Sequence, residues 1–206
     1  MIDSVHFSNN AALIAQVAEF YIKDGARVAD VTYGRGAFWR KTDISRFDFR
    51  PTDLMPNLDV DPPHAKKADF RRLPYSNASL HLVVFDPPYM ANAGAHSQVE
   101  NEYRNFATTR AMSHDEILNI YTQGMAEAKR VLIPNGMLWV KCKDKIVGKK
   151  QRWSFIEIKD IAEKQLGFYA KDQYIVVPTS RTYHQRMQPI HHACKIHSYL
   201  WIFVKL

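Results

Sequence analysis

Leu80-His81-Leu82-Val83-Val84-Phe85, followed by Asp86-Pro87-Pro88-Tyr89, is the stretch that decides the fold. The first part is a short apolar run with the length and composition of a buried strand. Two consecutive prolines end it, since each lacks a backbone N–H and has φ fixed. A carboxylate, two proline carbonyls and an aromatic ring are thereby collected at the carboxyl end of a strand. In open α/β sheets that edge is where ligands bind.

The amine of an aromatic base has its lone pair delocalised into the ring. Asp86 can accept one amine hydrogen and the carbonyl of Pro87 the other, which draws the nitrogen toward a geometry with more lone-pair character. Tyr89 can stack on the flat base, and a base in a duplex would first be flipped out. An electrophilic methyl group then has only to be held in line, with no metal and no covalent intermediate. Asp86-Pro87-Pro88-Tyr89 resembles motif IV of the amino-methyltransferases. Those enzymes methylate exocyclic amines of adenine, cytosine or guanine with S-adenosylmethionine.

Upstream, Asn9 to Lys23 carries apolar residues at helical spacing, with Ser8 or Asn9 as cap. Arg27 to Thr32 reads as a strand, and Tyr33-Gly34-Arg35-Gly36-Ala37-Phe38 as the turn into the next helix. Glycines here let the backbone approach a ligand. The stretch resembles motif I of methyltransferases, an acid followed by a G-x-G turn that wraps the methionine part of the cofactor. Asp30, Thr32, Gly34 and Gly36 match it, and Phe7, ahead of the first helix, joins the same implied cofactor group.

Phe47 to Asp53 has alternating aromatics and reads as the second strand, edge-like or irregular because of Pro51. Asp53 lies where Rossmann-like folds place an acid for the ribose hydroxyls, with Leu54 or Met55 packing on the adenine. Asp59-Val60-Asp61-Pro62-Pro63 is a weaker proline turn, and residues 54–65 show no helical period. Ala68 to Tyr75 resembles motif III, in which Asp69 and Phe70 read the adenine edge.

Downstream, residues 90–112 form a long segment without a period, containing Tyr103 and Arg104 beside the candidate site. Ser113 to Glu116 has the capping-box pattern and opens a helix to about Leu132. Pro134-Asn135-Gly136 reads as a turn and Met137 to Cys142 as a buried strand. Lys143 to Trp153 is the most basic stretch, read as a loop with Lys149, Lys150, Arg152 and Trp153 as candidate nucleic-acid contacts. Phe155 to Leu166 reads as a helix, and Tyr174 to Val177 as a strand. Residues 179–195, with Arg181 and Arg186, form a third substrate-side loop, and Ile196 to Lys205 is a strand.

The 206 residues fit one domain, 1–206, and a net charge of +7 suits a polyanionic partner. Cys142 and Cys194 make neither a disulfide framework nor a zinc pattern. With no signal peptide or long apolar span, a cytoplasmic protein without a membrane is expected. The resemblance implies a Rossmann-like class I methyltransferase, α/β, with a mostly parallel seven-stranded sheet, an antiparallel last strand and helices on both faces. The motif order is that of the gamma-type enzymes, without their large target-recognition domain. The activity implied is methyl transfer from S-adenosylmethionine to a nucleic-acid base. Adenine N6 in DNA leads, because cytosine-N4 enzymes more often have Ser in place of Asp86. RNA adenine or guanine, DNA cytosine N4, and a catalytically silent nucleic-acid-binding partner subunit are the alternatives.

Overall fold

A computed structural model describes residues 2–56, 63–87, 112–147, 149–179, 192–193 and 195–206. Its elements in order are β1 (Val5–Phe7), α1 (Asn10–Tyr21), β2 (Arg27–Asp30), β3 (Asp48–Phe49), β4 (Thr52–Asp53), β5 (Lys66–Lys67) and β6 (Leu80–Phe85). Then come α2 (His114–Val131), β7 (Leu132–Cys142), β8 (Lys145–Val147), β9 (Lys150–Arg152), α3 (Ser154–Asp160), β10 (Phe168–Val177) and β11 (Ser198–Lys205).

Seven strands form one sheet in the order β1-β10-β11-β7-β6-β2-β3. β11 runs antiparallel to both its neighbours, β10 and β7, and the other pairs are parallel. This is the expected α/β sheet with an antiparallel last strand. The edge strand breaks after Phe49, and beyond Pro51 the chain continues as β4, paired with β5. Proline cannot donate to a ladder, so the break falls where the sequence put it.

Alternation along the strands splits the core in two. Val83 and Phe85 of β6, with Leu138, Val140 and Cys142 of β7, pack with α2 residues such as Tyr121 and Met125. Leu82 and Val84, with Trp139, Leu200 and Ile202, pack with Leu13, Ile14, Val17 and Ala18 of α1. Asn9 caps α1 by accepting from the Ala12 N–H at 3.0 Å. Ser113 and Glu116 make the expected capping box on α2. Among the described residues, no helix is long and apolar enough to cross a membrane.

Three local expectations are corrected. No α-helix follows β2. Bonds of three-residue span, Trp39 N–H to Gly36 and Thr42 N–H to Trp39, make consecutive turns that lead into a short 3-10 helix, Ile44–Arg46. The Trp39 indole is drawn down to Asp30, which holds that stretch in turns. Pro134-Asn135-Gly136 is no turn between helix and strand, because β7 begins at Leu132, directly after α2. The tripeptide is a bulge: Leu80 pairs with Leu132 but Leu82 with Met137, and Asn135 takes φ of 62°. The basic stretch after Cys142 contains an antiparallel hairpin, Lys145 opposite Arg152 and Val147 opposite Lys150.

Candidate active site

The parallel strands β2, β6 and β7 end on one edge of the sheet, and Asp30, Gly34, Asp53 and Asp86 gather there. Asp30 closes β2 and is buried. Its Oδ1 accepts the Thr32 N–H at 3.0 Å and its Oδ2 accepts the Trp39 indole N–H at 2.7 Å. Burial pushes its carboxyl up to about 7; the two donors oppose that rise, while Asp86 and Asp53 add to it. Asp30 is therefore the anchor of the turn, its oxygens engaged by the protein.

The turn rises from that anchor. Gly34 and Gly36 have φ of 54° and 64°, the left-handed region where a side chain is strained. Among the described residues, a Cβ on Gly34 would meet nothing within 4 Å, which leaves room beside the backbone there. A Cβ on Gly36 would lie 2.6 Å from the Tyr33 hydroxyl. The Gly34 N–H donates to Asp53 Oδ2 at 2.9 Å, and Asp53 Oδ1 accepts from the Met55 N–H at 2.8 Å. Asp53 thus stands beside the glycine turn, with Leu54 half-buried next to it.

Asp69 lies two residues beyond β5, whose Lys67 pairs with Asp53. Its carboxylate is gripped by Arg71, Nη2 to Oδ2 at 2.7 Å, which holds it below the usual carboxylate range. Two members of the implied cofactor group are elsewhere. Phe70 is core, its ring 5.0 Å from that of Phe85. Phe7 is 74% exposed on β1, and β1 pairs with β10 at the far edge of the sheet, five strand positions from β2. At about 4.8 Å per strand, that distance removes it from the glycine turn.

Asp86 follows β6, and its backbone N–H donates to Thr32 Oγ1 at 2.7 Å. It is partly buried overall, yet Oδ1 is shut off from solvent and has no hydrogen-bond partner among the described residues. Burial pushes its carboxyl up to about 6, opposed by the positive charge of Lys141. Lys141 is the residue that sequence reading missed. It stands at the end of the buried run Met137 to Cys142, and its ammonium donates to Ser198 Oγ. A lysine inside an otherwise apolar strand was the available signal. Pro87 is buried beside Asp86; Pro88 and Tyr89 lie outside the described residues.

The same edge carries a basic wall. Trp153, 48% exposed, follows the β8–β9 hairpin, and the Lys195 ammonium lies 4.7 Å from its ring centroid. The His192 Nε2 donates to the Lys149 carbonyl at 2.8 Å. The hairpin, with Lys149 and Lys150 exposed and Arg152 half-buried, and the residues His192 and Lys195, distant in sequence, are therefore joined into one surface. Tyr103, Arg104, Arg181 and Arg186 lie outside the described residues.

A parallel sheet with its last strand reversed, and a glycine turn and acids at the strand ends, defines the class I methyltransferase fold. Solved structures share it. The PH0226 protein from Pyrococcus horikoshii OT3 is 13% identical, with 97% of this chain and 95% of that one covered and a TM-score of 0.56. A SAM-dependent methyltransferase from Methanosarcina mazei is 11% identical over 92% of this chain and 97% of that one, at a TM-score of 0.53. Residues 80–206 match the N6/N4 methyltransferase family model described as DNA methylase. That is more than half of the chain, and the protein belongs to the N6/N4 DNA methylase family. A candidate DNA modification methylase from Thermus thermophilus, complexed with S-adenosyl-L-methionine, is 17% identical over 87% of this chain at a TM-score of 0.45. The chain spans about half of that protein's length, 55%. No curated protein matches.

Proposed function

We propose that this chain transfers the methyl group of S-adenosylmethionine to the exocyclic amine of a nucleic-acid base, adenine N6 in DNA first among them. The observation that carries this reading is the water-excluded Oδ1 of Asp86, without a hydrogen-bond partner among the described residues, at the strand edge that also bears the glycine turn. A buried carboxylate oxygen without a donor is costly unless a ligand supplies one. An amine hydrogen is such a donor.

The residues fit the cofactor. The room beside Gly34 admits it against the backbone, and Asp53 has lone pairs left for ribose hydroxyls after accepting its two N–H groups. Asp30, Asp53 and Asp86 make that edge negative, which suits a cationic ligand. When bound, S-adenosylmethionine supplies an electrophilic methyl on a sulfonium. Asp86 accepts one amine hydrogen and the Pro87 carbonyl the other, and Asp86 takes the proton that the amine loses. Tyr89 stacks on the flipped base. Lys149, Lys150, Arg152 and Trp153 hold the nucleic-acid backbone and an unstacked neighbour.

The test is transfer of labelled methyl from S-adenosylmethionine to parallel pools of DNA and RNA, followed by nucleoside digestion and mass spectrometry. N6-methyladenine in DNA is expected from the native protein and none from Asp86→Asn, which should still bind the cofactor by calorimetry. Methyl on cytosine N4 or on an RNA base would keep the mechanism and replace the substrate. No transfer and no cofactor binding would make the chain a silent nucleic-acid-binding subunit.

A further inference from the structure

Register places a lysine beside Asp86, whose Oδ1 has no partner among the described residues. Val84 pairs with Trp139 and Phe85 with Val140, so the next step along β6 and β7 sets Asp86 against Lys141. Alternation puts Val84 and Asp86, Trp139 and Lys141, and Leu200 and Ser198 on the same face of the sheet, the face covered by α1. On its other side Lys141 pairs with Leu200 of β11, two residues from Ser198. Its ammonium donates to Ser198 Oγ, and the residue is 2% exposed.

Packing alone does not account for a lysine here. A buried charge is costly, and an apolar residue of similar volume would fill the position at least as well. What the lysine adds is a positive charge one strand from Asp86. Resting on the methyl-transfer reading above, we propose that Lys141 is a positioning residue for Asp86. Its ammonium, held by Ser198, balances the Asp86 carboxylate in the closed floor of the site and keeps it ionised to accept an amine hydrogen.

Among the described residues, the charged and titratable groups around the pair are few. Asp86 acts on Asp30 of β2, whose rise it adds to, and on Lys141 and Cys142 of β7. Lys141 feels Asp86, Cys142 and Lys143. Burial raises Asp86 and lowers Lys141, and each opposes the shift of the other. The Cys142 thiol is pushed far up by burial and stays neutral. Asp86 adds to the rise of Asp30, and among the described residues Lys141 is the positive charge that opposes the rise of Asp86.

The experiment compares the pH profile of kcat/KM in the native protein, Lys141→Met, Lys141→Arg and Ser198→Ala. Carboxyl 13C titration of Asp86 is followed without substrate in the same proteins. Lys141→Met should move the acidic limb and the Asp86 midpoint upward by about one pH unit or more. Activity at pH 7 then falls about twofold for a one-unit move, and further for a larger one, and recovers as the pH rises. Lys141→Arg should hold the limb near its native position. Ser198→Ala should move it the same way by less, and it serves where Lys141→Met does not fold. An Asp86 midpoint unmoved in Lys141→Met, or in Ser198→Ala where that variant stands in for it, overturns the proposal. So does an activity loss that is uniform across pH. If the native protein methylates neither pool, the methyl-transfer reading fails, and the carboxyl titration alone decides whether Lys141 governs Asp86.

Discussion

The backbone N–H of Asp86 donates to Thr32 Oγ1, 2.7 Å away, tying the end of β6 to the turn that leaves β2. The neighbouring backbone bond, Val31 N–H to Val84, makes the same connection one layer deeper. Thr32 therefore sets the height of Asp86 relative to the glycine turn. Thr32→Val keeps the shape, leaves the Asp86 N–H unpaired and costs about 1–3 kcal/mol. Methyl transfer should fall about tenfold or more with cofactor affinity changed little, and Thr32→Ser should restore it. Steady-state kinetics beside calorimetry of the cofactor checks this; a loss confined to affinity would place Thr32 on the cofactor instead.

Trp39 is one of the two donors that satisfy buried Asp30, and the one supplied by a side chain. Trp39→Phe keeps the ring and removes the N–H, which should cost about 1–3 kcal/mol. The loss should be larger at pH 8, where Asp30 is ionised, than at pH 5, where it is protonated. Urea unfolding at the two pH values measures it, and an equal loss would deny the bond its charge-assisted character.

Asp30 and Asp86 carry carboxyls pushed up to about 7 and about 6 from an ordinary 3.8. An acid raised on folding binds its proton more tightly in the folded state. Stability therefore falls as pH rises from about 4 through those folded values. A cationic ligand among the acids reverses this by favouring their ionised forms. The rise in Tm produced by S-adenosylmethionine should thus be greater at pH 8 than at pH 5.5. A rise independent of pH would mean that the ligand does not face these acids.

Gly124 on α2 lies against Phe85, and a Cβ there would sit 2.3 Å from the Phe85 ring. Alanine improves helix propensity by about 1 kcal/mol but overpacks the contact by about 1–3 kcal/mol. Gly124→Ala should be destabilising on balance. It should also lower activity, since Phe85 precedes Asp86. Thermal unfolding and turnover measured together test it; a stabilised, fully active variant would show that α2 can retreat without cost.

The joined basic wall makes a separable prediction. Neutralising Lys149, Lys150 and Arg152 should weaken nucleic-acid binding and flatten its dependence on salt. On duplex DNA the log–log slope should shrink by about 0.9 for each phosphate no longer neutralised. Trp153→Ala should weaken binding with the slope unchanged. Fluorescence anisotropy across a salt series reads both. An unaltered slope in the triple variant would take the wall out of the interface.

Much of this was legible in the sequence because local signals agreed. The apolar run before Asp86, the capping box at Ser113 and the proline at position 51 each acted as their residues dictate. The misses share a different cause. Trp39 abandons a helix for a hydrogen bond to Asp30, nine residues earlier, and Pro134-Asn135-Gly136 bulges because β6 pairs on both sides of it. Phe70 joins the core through Phe85, and Phe7 goes to β10, partners no local pattern names. Lys141 was visible as an oddity, but its meaning required knowing which strand lay alongside.

β11 comes latest of the strands, yet it lies inside the sheet between β7 and β10, while Val5 of β1 pairs with Ile175 of β10. Such an arrangement does not grow outward from a nucleus one strand at a time. Until residues 198–205 arrive, β7 and β10 each present a long unpaired edge open to foreign strands. The seat of Lys141 beside Ser198 is also incomplete until then. Assembly should accordingly be slow for a chain of this size, with the edges of β7 and β10 open for as long as β11 is awaited.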